Sequence, residues 1–144
     1  MKLVIDSNVL FTFFWKNSAL TNILEIKPDI ELFSPEYALT EITNNKLELL
    51  QKTKLSASEF DKKKNELAEI VSFIPLKEYS SSIKEIKSLT HSFPEHKKDE
   101  ILKDADFLAL ALQLNVPLWS NDKLLRKQPQ IPVLSTADMI ELLS

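Results

Sequence analysis

Four acidic residues from different segments of the chain could act together in catalysis if the fold brought them to one place. These residues are Asp6, Glu41, Asp104 and Asp122. Carboxylate oxygens are the ligands that Mg²⁺ and Mn²⁺ prefer, and such ions keep several water molecules for a substrate. One or two of these ions can hold a phosphate group, lower the pKa of a bound water and stabilise a leaving oxygen. The four acids therefore predict metal-assisted chemistry on a phosphate ester, provided that they meet.

Two of these acids lie in the segment of residues 103–122, which predicts a helix, a tight corner and a buried strand. Residues 105–114 are good helix formers and are apolar on nearly every side, as in a helix covered by other elements. Asn115 can close this helix in the left-handed conformation, and Pro117 prevents its continuation. The apolar residues that follow suit a short strand, which ends before Asp122. Burying the carboxylate of an acid just beyond an apolar strand costs free energy unless water, a partner or a metal ion binds it.

Of the other two acids, Asp6 follows a predicted strand and Glu41 lies on a predicted helix. Residues 3–5 form a short, fully apolar run typical of buried parallel strands, and Asp6 follows this run directly. Glu41 lies on a helix that is predicted to start at residues 34–36, where a capping serine, a first-position proline and a first-turn acid occur in the usual order.

Strands and helices alternate along the chain. The predicted strands are residues 3–5, 30–33, 71–76, 116–119 and 131–134, and a proline places the third at an edge of the sheet. The predicted helices are residues 9–15, 18–26, 35–50, 56–70, 80–89, 105–114 and 135–143, with a loop at 91–98 and a short basic helix or turn at 122–127. This order predicts an α/β fold, a three-layer α/β/α arrangement with a mainly parallel central sheet. In such sheets, sites form outside the carboxyl ends of the strands, where all four acids can arrive.

The expected core comes from two groups of side chains. An aromatic group is expected from Phe11, Phe13, Phe14 and Trp15, which are assigned to the core rather than to base stacking. The helices 35–50 and 56–70 are expected to form a hairpin with Leu47, Leu50, Phe60, Leu67 and Ile70 facing inward.

Length and composition narrow the possible functions. The 144 residues predict a single domain over residues 1–144. The chain has no cysteine, which excludes disulfides and thiolate metal sites, and no glycine, which excludes glycine-rich phosphate loops and the dinucleotide fingerprint. No apolar run approaches the roughly 20 residues that span a bilayer, and the amino terminus does not look like a signal peptide. We expect a soluble, cytoplasmic protein without a membrane partner. The net charge of −3 argues against a nucleic-acid partner, because neutralising phosphates requires basic residues. This argument loses its force if bound cations neutralise the clustered acids.

Each acid also has a structural interpretation. Asp6 and Asp122 could cap the turns that follow them, and Glu41 could be a solvated helix acid. Asp104 and Asp106 cannot both face the same way, because two residues turn a helix by about 200°. Asp106 could be a helix cap or a second ligand.

Four segments, in order, resemble the four motifs of the PIN domain family. They read VIDSN at residues 4–8, ALTEI at 38–42, DADFLALAL at 104–112 and SND at 120–122. The resemblance covers essentially the whole chain. One departure is the absence of the glycine that commonly follows the third-motif helix, where Asn115 stands.

The resemblance implies a metal-dependent endoribonuclease, in prokaryotes very often a VapC-type toxin paired with an antitoxin. By this resemblance Asp6, Glu41, Asp104 and Asp122 are the catalytic, metal-binding acids for Mg²⁺ or Mn²⁺. The positions that support them are Asn8, Asp106, Ser120 and Asn121. By family analogy, hydrolysis of the phosphodiester leaves a 5′-phosphate and a 3′-hydroxyl. The family frequently dimerises, and we expect a two-fold homodimer.

Basic residues near the third and fourth acids could guide RNA towards the metal ions. We assign this role to Lys103, Lys123 and Arg126, with Lys127 and residues 96–98 close by in sequence. The alternative interpretation is that they are solvated surface side chains. His91 and His96 are assigned to the loop and not to catalysis.

Two other functional classes deserve comparison. A non-catalytic PIN-like module for RNA binding or protein interaction would normally lack one or more of the acids, and this chain keeps all four. A phosphate-accepting receiver domain has a similar size and architecture, but it requires paired acids after the first strand. Asp6 is the only acid at that position.

Overall fold

The computed structural model describes residues 1–144 and contains one five-stranded sheet in which every pair of neighbouring strands is parallel. The strands are β1 (Lys2–Ile5), β2 (Glu31–Pro35), β3 (Val71–Ile74), β4 (Leu118–Trp119) and β5 (Val133–Leu134). Their order across the sheet is β3-β2-β1-β4-β5. Pairing registers place Val4 of β1 between Phe33 of β2 and Leu118 of β4. The predicted parallel sheet is confirmed, and β3 lies at an edge as its proline predicted.

Nine α-helices connect and cover the strands. They are α1 (Ser7–Phe11), α2 (Ala19–Ile26), α3 (Tyr37–Asn44), α4 (Lys46–Thr53), α5 (Ala57–Ile70), α6 (Ser80–Leu89), α7 (Glu95–Lys103), α8 (Ala105–Leu114) and α9 (Thr136–Leu143). Side chains of Ser56 and Ser135 form capping boxes at the starts of α5 and α9, where the sequence predicted these two helices to begin. Asn115 closes α8 with a φ of 56°, which is the left-handed conformation predicted for it. No helix of the protein combines the length and the apolar character needed to cross a membrane.

The core lies around β1 and α8. All three apolar residues 3–5 are fully buried, and α8 buries side chains on most of its circumference, as its uniformly apolar sequence predicted. Phe14 stacks on Phe60 of α5 with ring centroids 4.7 Å apart, which joins the segment after α1 to α5. These contacts fix the central strands, and therefore the residues that follow them.

The predicted helix 35–50 is wrong at both its start and its middle. Ser34 and Pro35 belong to β2, because the Glu36 N–H donates to the Ile74 carbonyl (2.9 Å) and extends the ladder with β3. The Ser34 hydroxyl donates to the Ile5 carbonyl at 3.1 Å instead of capping a helix. Asn45 interrupts the helix by donating its side-chain amide to the Glu41 carbonyl at 2.7 Å, a local bond that competes with helix continuation.

This interruption changes which leucine faces the core. Helix α4 begins afresh after Asn45, so Leu47 is 77% exposed and Leu49 is buried in its place. Trp15 is also misassigned, since it follows a 3₁₀ turn in extended conformation and is 40% exposed. Phe13 and Phe14 are buried as expected.

The loop predicted at residues 91–98 is also wrong. Residues Thr90–Ser92 form a 3₁₀ turn, and α7 starts directly after Pro94. A proline is tolerated before a helix because its missing N–H would have had no partner there. Its carbonyl accepts the Lys97 N–H at 2.9 Å, so Pro94 starts the helix rather than a loop.

Candidate functional site

The carboxyl ends of the neighbouring strands β1 and β4 lie side by side at the topological switch point of the sheet. The strands β2 and β3 continue on one side of β1, and β4 and β5 lie on the other. In open parallel sheets, ligands bind in the crevice at such a switch point. Asp6 follows β1, and Ser120 follows β4.

Asp6 is fixed directly to the end of β4. Its backbone N–H donates to the Trp119 carbonyl at 3.0 Å, and its Oδ2 accepts the Ser120 hydroxyl at 2.6 Å. The side chain is 2% exposed and makes no capping hydrogen bond to α1. Burial raises the pKa of the Asp6 carboxyl, with a smaller contribution from the negative charge of Asp122, while the Ser120 hydroxyl opposes the shift. The structure therefore holds a buried acid with a raised pKa where β1 and β4 end side by side.

Glu41 reaches the same region from α3. Its Oε1 atom is buried and has no hydrogen-bond partner in the protein. Burial raises the pKa of the Glu41 carboxyl, and the charges of Asp6 and Asp106 raise it further. A buried carboxylate oxygen without a partner is costly unless a cation or a proton satisfies it.

Asp104 has a strongly raised pKa. It lies at the junction of α7 and α8, and its side chain makes no capping hydrogen bond. Burial raises its pKa to about 7, followed by the charges of Asp6, Asp122 and Glu41, while Lys103 opposes the shift. The negative charges of all three other acids therefore disfavour the ionised form of the Asp104 carboxyl.

Asp122 has a structural role in addition to its proximity to the cluster. Its Oδ1 accepts the Leu124 N–H at 2.8 Å, and its own N–H donates to the Ser120 hydroxyl at 3.1 Å. The alternative that Asp122 caps the following turn is thus present in the structure. The Ser120 hydroxyl connects Asp122 to Asp6, because it accepts the Asp122 N–H and donates to Asp6 Oδ2.

The four acids influence one another electrostatically, but their side chains do not converge tightly. No group of three Asp, Glu, His or Cys side chains is arranged closely enough to hold one metal ion. Like-charged carboxylates repel one another when no cation lies between them. The unpartnered Glu41 oxygen and a donor set made only of carboxylate oxygens nevertheless fit a hard divalent cation. A groove of 640 Å³ beside β3 contains none of the four acids, so charge rather than concavity marks this cluster.

The predicted supporting residues have different surroundings. Ser120 holds Asp6, as described. Asn121 both donates to the Thr136 hydroxyl (3.0 Å) and accepts the Thr136 N–H (2.8 Å), so it ties the end of β4 to α9. Asn8 is exposed on α1. Asp106 accepts a hydrogen bond from the Tyr79 hydroxyl at 2.6 Å and is close enough to Glu41 to raise its pKa.

The predicted RNA-binding residues are all exposed, but they differ in their partners. Arg126 donates to Asp138 of α9 at 2.9 Å, so its charge is partly neutralised. Lys103 and Lys123 form no ion pair. Lys103 lowers the pKa of Asp104, which places its positive charge beside the acid cluster.

Tyr79 was not singled out from the sequence. Its side chain is 1% exposed, and burial and the hydrogen bond to Asp106 keep the pKa of its hydroxyl well above the ordinary value. It lies 27 residues before Asp106 at the start of a polar helix. No local pattern connects the two residues, so only the packing of α6 against α8 could have revealed the contact.

Comparisons with known proteins agree with this fold. The sequence model of the PIN domain matches residues 4–132. Among solved structures, VapBC2 from Rickettsia felis, bound to a DNA fragment from its promoter, is similar with a TM-score of 0.67 and 14% sequence identity, covering 94% of this chain and 98% of that one. No curated protein matches the sequence significantly. PIN domains are typically nucleases, and those nucleases generally use divalent metal ions. Because the PIN domain model matches most of the length of this chain, the chain belongs to the PIN domain family.

Proposed function

We propose that this protein is a divalent-metal-dependent endoribonuclease whose centre is formed by Asp6, Glu41, Asp104 and Asp122. The observation that carries the proposal is the buried, unpartnered Oε1 of Glu41 within a group of mutually repelling carboxyls. A protein gains nothing in stability from such an arrangement, whereas a cation would satisfy the oxygen and offset the repulsion. The membership in the PIN domain family supports the same chemistry.

The four acids would hold Mg²⁺ or Mn²⁺ and leave room for a phosphodiester. When bound, such an ion lowers the pKa of a water nucleophile and neutralises charge on the phosphate. Ser120 keeps the Asp6 carboxylate oriented, since its hydroxyl donates to Oδ2 at 2.6 Å. Lys103 and Lys123 are exposed cations that would attract the RNA backbone towards the acids. The expected products carry a 5′-phosphate and a 3′-hydroxyl.

The experiment that tests this proposal compares two neighbouring glutamates. Purified wild-type protein is expected to cut a mixed RNA pool with Mg²⁺ or Mn²⁺ and not with EDTA. Glu41→Gln is expected to lose more than about 100-fold in rate, beyond the typical cost of removing a group that only orients a ligand. Glu48→Gln is the matched control, because Glu48 is exposed and its only partner is Lys52 at 2.6 Å. It should cut like the wild type.

Two outcomes would contradict the nuclease assignment. If the wild type binds RNA but never cuts it with either metal, the alternative of a non-catalytic RNA-binding module is favoured. If Glu41→Gln cuts as fast as the wild type, Glu41 does not belong to the centre.

We further propose that the protein acts in the cytoplasm as the toxin of a toxin–antitoxin pair and forms a two-fold homodimer. The VapBC2 structure of similar fold supports an antitoxin partner. Two exposed apolar side chains in the first part of the chain, Trp15 after the 3₁₀ turn (40%) and Ile26 at the end of α2 (49%), support burial against a second copy.

Light scattering at micromolar concentration is expected to give twice the 16.5 kDa mass of the chain. A short protein encoded beside its gene is expected to co-elute with it and to inhibit RNA cleavage. A monomeric mass would contradict the dimer, and a neighbouring product that neither binds nor inhibits would contradict the toxin assignment.

A further inference from the structure

We propose that Tyr79 is a positioning residue of the carboxylate cluster, because its hydroxyl holds Asp106 beside Glu41 and thereby makes Asp106 a fixed supporting group of the metal centre. This inference rests on the proposed nuclease function and names a residue that the four sequence motifs do not contain. The motifs place Asp106 near the centre without saying what orients it.

The contact between the two side chains is short and directional. The Tyr79 hydroxyl donates to Asp106 Oδ2 at 2.6 Å, a distance typical of a strong O–H···O⁻ hydrogen bond. Oδ1 of Asp106 takes part in no hydrogen bond within the protein. Asp106 is half-buried and close enough to Glu41 to influence its pKa. One carboxylate oxygen of Asp106 is thus anchored by Tyr79, and the other has no partner within the protein.

The anchor itself is rigid. The Tyr79 side chain is 1% exposed, and the residue directly precedes α6, which packs along α8. The Ser82 hydroxyl of α6 donates to Gln113 of α8 at 2.8 Å. Gln113 and Asp106 are seven residues apart, which is nearly two helical turns, so they share one face of α8. Tyr79 and Ser82 therefore contact that face of α8 at two points, and both contacts restrict movement of the Tyr79 hydroxyl relative to α8.

Asp106 needs such an anchor because of its electrostatic surroundings. A half-exposed carboxylate beside another acid would lower its energy by rotating into water, away from the like charge. The phenol hydroxyl opposes this rotation, because the rotation would break its hydrogen bond to Oδ2. The ring of Tyr79 has a separate role as part of the hydrophobic core. The positioning role belongs to the hydroxyl alone, so the two roles can be separated by removing one oxygen atom.

The test uses Tyr79→Phe, which keeps the ring. Calorimetry with Mn²⁺ is expected to show roughly 10–100-fold weaker binding, the range found when the group that orients a metal ligand is removed. The kcat for RNA cleavage should fall by a similar factor, whereas the KM for RNA should stay unchanged, since the basic residues remain. The melting temperature in EDTA should fall by no more than a few degrees, because the ring stays in the core and the Asp106 carboxylate can turn to water. Tyr37→Phe is the matched control, because Tyr37 is 49% exposed and forms no side-chain hydrogen bond, and it should behave like the wild type in all three measurements.

A double-mutant cycle with Asp106→Asn separates positioning from packing. Asp106→Asn alone is expected to weaken Mn²⁺ binding about as much as Tyr79→Phe, and adding Tyr79→Phe to it should cause no further loss, since both changes remove one interaction. The inference is overturned if Tyr79→Phe binds Mn²⁺ and cuts RNA like the wild type, or if its effect is undiminished in the Asp106→Asn background. A wild type that neither binds Mn²⁺ nor cuts RNA overturns the proposed function, and this inference with it.

Discussion

Asp104→Asn is expected to reduce RNA cleavage by more than about 100-fold, beyond the usual cost of losing a group that merely orients a ligand. The asparagine keeps the size of the side chain and one acceptor oxygen but loses the negative charge. Asp104 is the acid whose pKa is raised by all three of the others, so it lies at the electrostatic centre of the cluster. Loss of its charge should therefore weaken Mg²⁺ or Mn²⁺ binding more than it disturbs the fold.

The same substitution should leave the metal-free protein as stable as the wild type or more stable. Burial and three neighbouring acids disfavour the ionised form of Asp104 in the folded state, as its pKa of about 7 reflects. Asparagine avoids both costs. A group that acted only as a helix cap would behave in the opposite way, although the loss would be small, since asparagine is itself a good cap.

Thermal melting with and without Mn²⁺, alongside cleavage of a mixed RNA pool, checks this prediction. Asp61→Asn is a suitable control, because Asp61 is an exposed acid whose only ion-pair partner is Lys46 at 3.3 Å. A variant that melts earlier than the wild type in EDTA, yet cuts RNA at the wild-type rate, would show that Asp104 is a structural residue and not a ligand.

The elements that were predicted correctly are those specified by residues close together in sequence. The capping boxes at Ser56 and Ser135 depend on residues three positions apart, and both are present. The left-handed end of α8 at Asn115 depends on one residue and the proline that follows it. The parallel sheet follows from alternation of strands and helices. Its parallel pairing places Asp6 and the residues after β4 at one edge, which is why the location of the cluster was predictable.

The features that were missed depend on contacts between distant segments. Ser34 resembles a helix cap locally, but its hydroxyl is used by the Ile5 carbonyl, 29 residues away. The choice of Leu49 over Leu47 depends on the interruption at Asn45, which shifts the phase of α4. The hydrogen bond between Tyr79 and Asp106 depends on how α6 packs on α8. The order of the motifs also says nothing about how closely the four carboxyls approach one another.

The second prediction with a large effect concerns Mn²⁺ and pH together. At a free concentration of 100 times its dissociation constant, Mn²⁺ is expected to stabilise the wild type by about 2.7 kcal/mol. For a chain of this size, that corresponds to a rise in melting temperature of roughly 8 °C. The physical reason is that the ion binds the folded cluster and has no equivalent site in the unfolded chain.

Without metal, stability is expected to fall as pH rises from about 5 to about 8. Asp104, with its pKa raised to about 7, keeps its proton in the folded state over much of this range, so the folded protein binds more protons than the unfolded chain. The raised pKa values of Asp6 and Glu41 act in the same sense. Their destabilising effect is absent below the unfolded pKa and complete once the pH exceeds the folded pKa. The carboxyls with lowered pKa values, Asp29, Glu59 and Asp138, act in the opposite sense but only at more acidic pH, as they become protonated.

With Mn²⁺ this fall in stability should largely disappear, because the proton and the ion compete for the same carboxyls and the bound ion keeps them ionised. The increase in melting temperature caused by Mn²⁺ should be larger at about pH 7.5 than at about pH 6, since Asp104 titrates near pH 7 and gives up its proton across that interval. Differential scanning calorimetry at both pH values, in EDTA and in Mn²⁺, measures the four melting temperatures required. In Asp104→Asn the Mn²⁺ effect should be small at both pH values. An equal Mn²⁺ effect at both pH values in the wild type would mean that the ion does not displace a proton from this cluster, and the ligand assignment of Asp104 would then be wrong.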